Sequence, residues 1–289
     1  MDFLRPTTLD EALALKAERP GAVPIAGGTD VMVELNFDHR RPEALLDLTG
    51  VAELAEWSTS DGQVRLGAGV PYTRVITELG DVLPGLAMAS RTVGSPQIRN
   101  RGTVGGNLGA ASPAGDTHPV LLATGARVEV ASVRGGRTIA AEAFYTGVKR
   151  NALEPDELIT AVHLPPASGA EQFAKVGTRN AMVIAVCSFA VVLRPGYAGV
   201  ALGSAAPVPR RAAEAERFLV AELPWQTPVP LADSLKRAFA ELVAGAADPI
   251  DDVRGSAAYR RHALGVLARR ALTWAWDDYR NNGGERQCA

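Results

Sequence analysis

The sequence predicts an α+β fold in two domains, and three observations carry the prediction. The first 55 or so residues read as a compact βαβ-like unit. From about 60 to 165, strand-like runs alternate with short helical ones. After the breaker-rich PPASGAE at 165–171, a few strand-like runs give way to a mostly helical tail. The expected division is 1–168, with subdomains at about 1–55 and 56–168, followed by a small mixed domain at 169–289.

A short opening strand is followed by Thr8-Leu9-Asp10-Glu11, a capping-box pattern with Thr8 as N-cap and Glu11 three residues on. That helix runs to about Glu18, where Pro20-Gly21 stops it. Val23-Pro24-Ile25 is a short strand running into Ala26-Gly27-Gly28-Thr29-Asp30, and an apolar-periodic stretch follows from Val31 to Leu35. Ala44–Leu48 is another strand, ended by Gly50. Val64–Val70 alternates as a strand, and helical stretches follow around 72–79 and 84–93. Residues 99–116 are dense in Gly, Ser, Asn and Asp. A helix is expected at Thr117–Leu122 and a strand at Ala126–Val133, with Arg134-Gly135-Gly136-Arg137 as a hairpin turn. Glu157–Leu164 reads as a strand stopped by Pro165-Pro166. Beyond the linker come strand-like runs at Gln172–Val176, Ile184–Leu193 and Gly199–Ser204, then helices at Arg211–Ala221, Leu231–Leu242 and Tyr259–Trp276.

Composition narrows the function classes. The 289 residues are 47% hydrophobic and 21% charged, enough apolar side chain to fill a core without disulfides. A net charge of −2 argues against a general nucleic-acid or anionic-membrane binder. The two cysteines, Cys187 and Cys288, lie far apart, and neither forms a C-x-x-C pair. Structural zinc or an iron–sulfur cluster held by this chain alone needs about four ligands. A reduced, cytoplasmic protein is the expectation. The start MDFLRPTTLDEALAL has no cationic n-region before an apolar core, and no apolar run is long enough for a transmembrane helix.

Two glycine-rich segments carry the chemistry: Ala26–Asp30, and Arg101-Gly102-Thr103-Val104-Gly105-Gly106-Asn107-Leu108 followed by Ser112-Pro113-Ala114-Gly115-Asp116. Paired glycines allow positive φ and close backbone approach. Successive amides can then converge on an anion, and a helix N-terminus adds donors. A pyrophosphate suits this arrangement without any Lys or Arg. Each glycine pair taken alone also reads as a tight turn. Neither segment is a Rossmann fingerprint or a P-loop, since Gly67-Ala68-Gly69 is followed by Tyr72 where a glycine belongs.

AGGTD at 26–30, TVGGNL at 103–108 and SPAGD at 112–116, in this order, resemble the FAD-binding subunit of the molybdenum hydroxylases, of the carbon monoxide dehydrogenase medium-subunit type. The resemblance extends to ELITAVHLPP at 157–166, FAKVGTRNAMVIAVC at 173–187 and the tail at 251–272. It implies a two-subdomain FAD-binding domain of the vanillyl-alcohol-oxidase (PCMH) type and a C-terminal α/β domain with an antiparallel sheet and helices. It implies that Ala26, Gly27, Gly28, Thr29 and Asp30 wrap the FAD pyrophosphate through backbone amides, with the Thr29 hydroxyl as a further donor. Thr103, Gly106 and Asn107 would meet the other side of the phosphates and the ribityl chain, Ser112 and Asp116 would follow along the cofactor, and Ile98 joins this set. Leu158 and Lys175 match positions that approach the isoalloxazine ring. A lysine there would stabilise charge that develops on reduction. Alternatives stay open: Asp116 as N-cap of the 117–122 helix, Asp30 as N-cap of the 31–35 helix, and Lys175 as a solvated strand-edge residue.

The resemblance further implies noncovalent FAD. It places the molybdenum cofactor on a large partner subunit and [2Fe-2S] clusters on a small one, in a dimer of heterotrimers. Electrons would pass from the clusters through FAD to an external acceptor. A free-standing FAD-dependent oxidoreductase of the same superfamily is the alternative, and an electron-transfer or assembly scaffold a third. His39, His118, His163 and His262 show no metal spacing and are expected in surface or core roles. Cys187 is expected as a buried small hydrophobe, and Trp274 and Trp276 as core or interface anchors. The pairs Arg260-Arg261 and Arg269-Arg270 read as a solvated helix face or a docking surface.

Overall fold

The computed structural model describes residues 1–282, and Cys288 lies outside that range. The first unit is a parallel sheet of β1 (Asp2–Leu4), β2 (Val23–Ile25) and β3 (Ala44–Asp47), in the order β1-β3-β2. Parallel strands need crossovers, and α1 (Leu9–Glu18) and α2 (Val31–Asn36) supply them. The Thr8 hydroxyl accepts the Glu11 amide at 3.2 Å, as the capping box requires. The Glu11 carboxylate, however, takes the Thr7 amide, at 2.8 Å, so the box closes one residue early. Ala12, Leu13, Leu46 and Leu54 bury one face of this unit.

The second unit is an antiparallel sheet. Its strands are β4 (Trp57–Ser60), β5 (Gln63–Gly67), β6 (Arg127–Ser132) and β7 (Gly135–Ala140). A separate small hairpin, β8 (Tyr145–Gly147) and β9 (Arg150–Asn151), precedes β10 (Leu158–Leu164). The sheet order is β4-β5-β10-β6-β7. Strand alternation sends Leu66, Val162 and Val128 into one core with Leu121, Leu122 and Phe144. Arg65, Glu129 and His163 take the opposite face, where the Glu129 carboxylate accepts from Arg65 at 2.6 Å and pairs with His163 Nε2 at 2.7 Å. Short helices pack on the core side: α3 (Tyr72–Glu78), α4 (Pro84–Thr92), α5 (Pro96–Arg99), α6 (Val104–Ala110), α7 (His118–Thr124) and α8 (Ala141–Phe144). Strand β5 ends at Gly67, short of the expected Val70, because the Gly69 amide turns to the Leu54 carbonyl at 2.8 Å.

The C-terminal unit is an antiparallel sheet of β11 (Ala170–Val176), β12 (Cys187–Arg194), β13 (Tyr197–Gly203) and β14 (Arg210–Arg211). On one face, Phe189, Val191, Leu193, Val200 and Leu202 meet α9 (Ala213–Glu222), α10 (Asp233–Ala246) and α11 (Ala257–Asn282). On the other, Ala190, Val192 and Ala201 join the core of the antiparallel unit. Burial on both faces explains why β12 reads as an unbroken apolar run. Trp276 is a core anchor whose indole donates to the Val229 carbonyl at 2.7 Å, while Trp274 is about half exposed. Cys187 is buried, and burial pushes its thiol up to about 12. Arg260 departs from the expected solvated face. It is buried and donates to the carbonyls of Val186 and Ser204 at 2.9 and 3.0 Å and to Asp252 at 2.6 Å, tying α11 to the sheet. Arg261, Arg269 and Arg270 are exposed as expected.

Candidate functional site

The turn after β2 is built to expose donors. Gly28 has φ +73°, the left-handed region glycine tolerates. The amides of Gly27, Gly28, Thr29 and Asp30 donate no hydrogen bond within the described residues. Asp30 takes the N-cap position of α2, where its carbonyl accepts the Val33 and Glu34 amides, but its side chain makes no capping bond and is exposed. Gly27 is glycine for close approach: a Cβ there would overlap the Arg101 carbonyl. The two glycine-rich segments therefore touch backbone to backbone. Ala26, Gly27 and Thr103 line one cleft of about 170 Å³, together with Pro71, Asn100 and Arg101.

The second segment divides its glycines between packing and exposure. A Cβ on Gly105 would collide with Ala68, whereas one on Gly106 would meet only the Thr103 hydroxyl, at 3.1 Å. That hydroxyl accepts the Gly106 amide at 2.9 Å and caps α6. Ile98 is half-buried, and its carbonyl accepts the Gly102 amide at 2.7 Å, holding the turn into this segment. Asn107 donates to the Thr117 hydroxyl at 2.9 Å. The Ser112 hydroxyl accepts the Ala114 amide at 3.3 Å, and the Pro113 carbonyl takes the Ser204 amide at 2.9 Å, which fastens the loop to the C-terminal sheet.

Asp116 and Lys175 meet at the end of this loop. Lys175 Nζ lies 2.6 Å from Asp116 Oδ2 and 3.2 Å from the Thr92 carbonyl, and the Thr92 hydroxyl donates to the same carboxylate at 3.1 Å. The side chains of Lys175 and Asp116 are 9% and 8% exposed, which removes the solvated-lysine alternative. Asp116 is not the helix cap either: Thr117 holds that position. Burial raises the Asp116 carboxyl, and Lys175 and Thr92 pull against it. Its second oxygen, Oδ1, is buried without a partner. Thr92 carried no sequence signal; only the fold brings it here. Leu158 lies apart from this pair. Its side chain is 1% exposed among Ala12, Leu13, Leu46 and Leu54, so it fills the seam between the subdomains and does not join Lys175 at a cleft.

Fold and site together define a class of protein with a glycine turn of unpaired main-chain amides set against a second glycine-rich segment, and a buried Lys175–Asp116 pair. Comparison with known proteins makes this specific. The family model described as "FAD binding domain in molybdopterin dehydrogenase" matches residues 1–167, and "CO dehydrogenase flavoprotein C-terminal domain" matches 172–275. The xanthine dehydrogenase FAD-binding subunit of Escherichia coli O157:H7 is 31% identical over 286 residues, covering 94% of this chain and 95% of that one. The nicotinate dehydrogenase FAD-subunit of Eubacterium barkeri is 35% identical over 208 residues, 69% of this chain and 70% of that one. Among solved structures, carbon monoxide dehydrogenase from Hydrogenophaga pseudoflava superposes with a TM-score of 0.89 at 28% identity, covering 96% of this chain and 98% of that one. The chain belongs to the family of FAD-binding subunits of molybdopterin dehydrogenases, and it is an oxidoreductase component.

Proposed function

We propose that FAD binds noncovalently between the two glycine-rich segments and that this subunit relays electrons within a larger molybdenum-containing hydroxylase. The carrying observation is the run of unpaired amides at Gly27–Asp30 set against the Thr103 segment in one cleft. Free main-chain donors beside glycine are what a diphosphate requires. Ala26, Gly106, Asn107, Ile98 and Ser112 shape the path along which the rest of the dinucleotide would lie. The orphaned Asp116 Oδ1 is an acceptor in need of a donor, which a cofactor hydroxyl or N–H supplies. When bound, FAD supplies the redox chemistry, accepting electrons from one partner and releasing them to another. The chain's own contribution is positional. Asp116 and the Thr92 carbonyl hold the Lys175 ammonium in a dry site, where a fixed positive charge favours negative charge developing nearby.

A large molybdenum-cofactor subunit and a small [2Fe-2S] subunit, arranged as a dimer of heterotrimers, are the proposed partners, and the proposed domain division is 168/169. No described helix is long and apolar enough to cross a membrane, and the proposed location is the cytoplasm. The test is a visible spectrum of the purified native protein. Near-stoichiometric flavin, released by denaturation without proteolysis, together with co-purifying iron and molybdenum, is expected. A folded chain that neither carries flavin nor takes up added FAD overturns the reading.

A further inference from the structure

We infer that the chain carries a second binding site, for a small phosphate-bearing anion, in a cleft between the five-stranded sheet and the C-terminal sheet. It is independent of the flavin reading. The cleft measures about 480 Å³, within the range of small-ligand sites, which favour seams between domains. Gln63, Arg127, Thr138 and His163 line it from one side, the end of α7 at Thr124 from another, and Arg194 of β12 from the third. No carboxylate is among its lining residues.

The two arginines of this cleft differ in burial: Arg127 is exposed and Arg194 half-buried. Arg65, Arg211 and Arg260, which like Arg194 are partly or fully buried, each engage a carboxylate. Arg127 and Arg194 make no ion pair among the described residues. Arg127 gives one hydrogen bond, to the Thr138 hydroxyl at 3.2 Å. The Arg194 guanidinium lies 4.0 Å over the Tyr197 ring, which fixes its plane, and its Nε is buried with no acceptor. A desolvated, charged donor without an acceptor is costly. The planar guanidinium fork matches phosphate oxygens.

Most of the nearby groups that would repel an anion are engaged within the protein. The carbonyls at the C-terminal end of α7 carry partial negative charge. Those of Val120 and Leu121 accept the Thr124 hydroxyl at 2.8 and 3.2 Å, Leu122 takes the Gly125 amide at 3.1 Å, and Ala123 takes the Tyr197 hydroxyl at 2.6 Å. Glu129 is held by Arg65, Thr160 and His163, and Glu171, on the Arg194 side, takes the Gly85 amide at 2.9 Å. Tyr197 is covered by Arg194, so the recognised group is a phosphate and not a stacked base.

The test is titration calorimetry of the purified, flavin-loaded protein with inorganic phosphate and with AMP at constant ionic strength. Saturable binding of either is expected. Arg127→Gln and Arg194→Gln should each weaken it by about tenfold or more, the loss of one charge-assisted hydrogen bond, with the flavin spectrum unchanged. Tighter binding of AMP points to a nucleotide as the natural source, and equal binding to free phosphate; both support the site. Arg127 is exposed and unpaired, so its variant keeps the test open if Arg194→Gln misfolds. Absence of saturable binding, or binding that neither substitution weakens, overturns the proposal.

Discussion

At the scale of single residues, the Lys175–Asp116 pair is where charge, burial and function meet. Both side chains are nearly dry, and each compensates the other at 2.6 Å. Removing one member strands the other, at a cost of about 3 kcal/mol, whereas removing both can be nearly neutral. Lys175→Met alone should therefore lower stability by about that amount in urea unfolding. The Lys175→Met, Asp116→Asn double variant should recover most of it. Additive losses in the two single variants would mean that the pair is not coupled in solution. The sequence pointed to Lys175 and Asp116 separately, through motifs 59 positions apart. It gave no sign that they bond, because a contact between β11 and a loop in the other domain is set by packing alone.

At the scale of elements, the turn after β2 depends on what each glycine is for. Gly28 needs its positive φ, and Gly27 needs the absence of a Cβ against the Arg101 carbonyl. These requirements differ in consequence. Gly28→Ala strains one residue and should cost about 1 kcal/mol. Gly27→Ala must push two backbones apart, so it should cost more and weaken FAD retention, read by thermal unfolding and by flavin loss on gel filtration. Equal effects would show that close approach is not the constraint. The existence of this turn was legible, and so were α1, α9, α10 and α11, where helical periodicity and breakers speak directly. Strand β4 was not, although Asp61-Gly62, both at positive φ, is a hairpin signal that could have revealed it. Leu158 lies apart from Lys175, because strand alternation sets which face a residue takes and the fold alone sets what covers that face.

At the scale of the whole molecule, acid sensitivity should follow from one buried histidine. His118 is fully buried at the start of α7, its Nδ1 lies 2.8 Å from the Tyr145 hydroxyl, and burial holds its pKa down at about 3, from an ordinary 6.5. The unfolded chain takes up this proton below about pH 6.5, whereas the folded one refuses it until about pH 3. The stability that depends on this histidine is thus fully present above about pH 6.5 and is lost as pH falls through that window. Glu129 adds to the decline only lower down. Burial pushes its carboxyl up, but bonds from Arg65, Thr160 and His163 together outweigh this and hold it at about 2, against an ordinary 4.5. In His118→Gln the slope between pH 6.5 and 4.5 should flatten, measured as denaturant midpoint against pH. An unchanged slope would assign the acid limb to other groups.

The sequence by itself determined the local chemistry: where the chain bends on glycine, where helices begin and stop, and which short motifs match an FAD-binding family. Those features depend on neighbours a few residues away, so composition and spacing express them. Only the tertiary structure decided that the two glycine-rich turns abut, that Lys175 pairs with Asp116, that Arg260 is buried, and that Arg127 and Arg194 face one cleft. Each of these joins segments distant in sequence, and their meeting is fixed by sheet order and by the two-sided burial of β12, which no local pattern encodes.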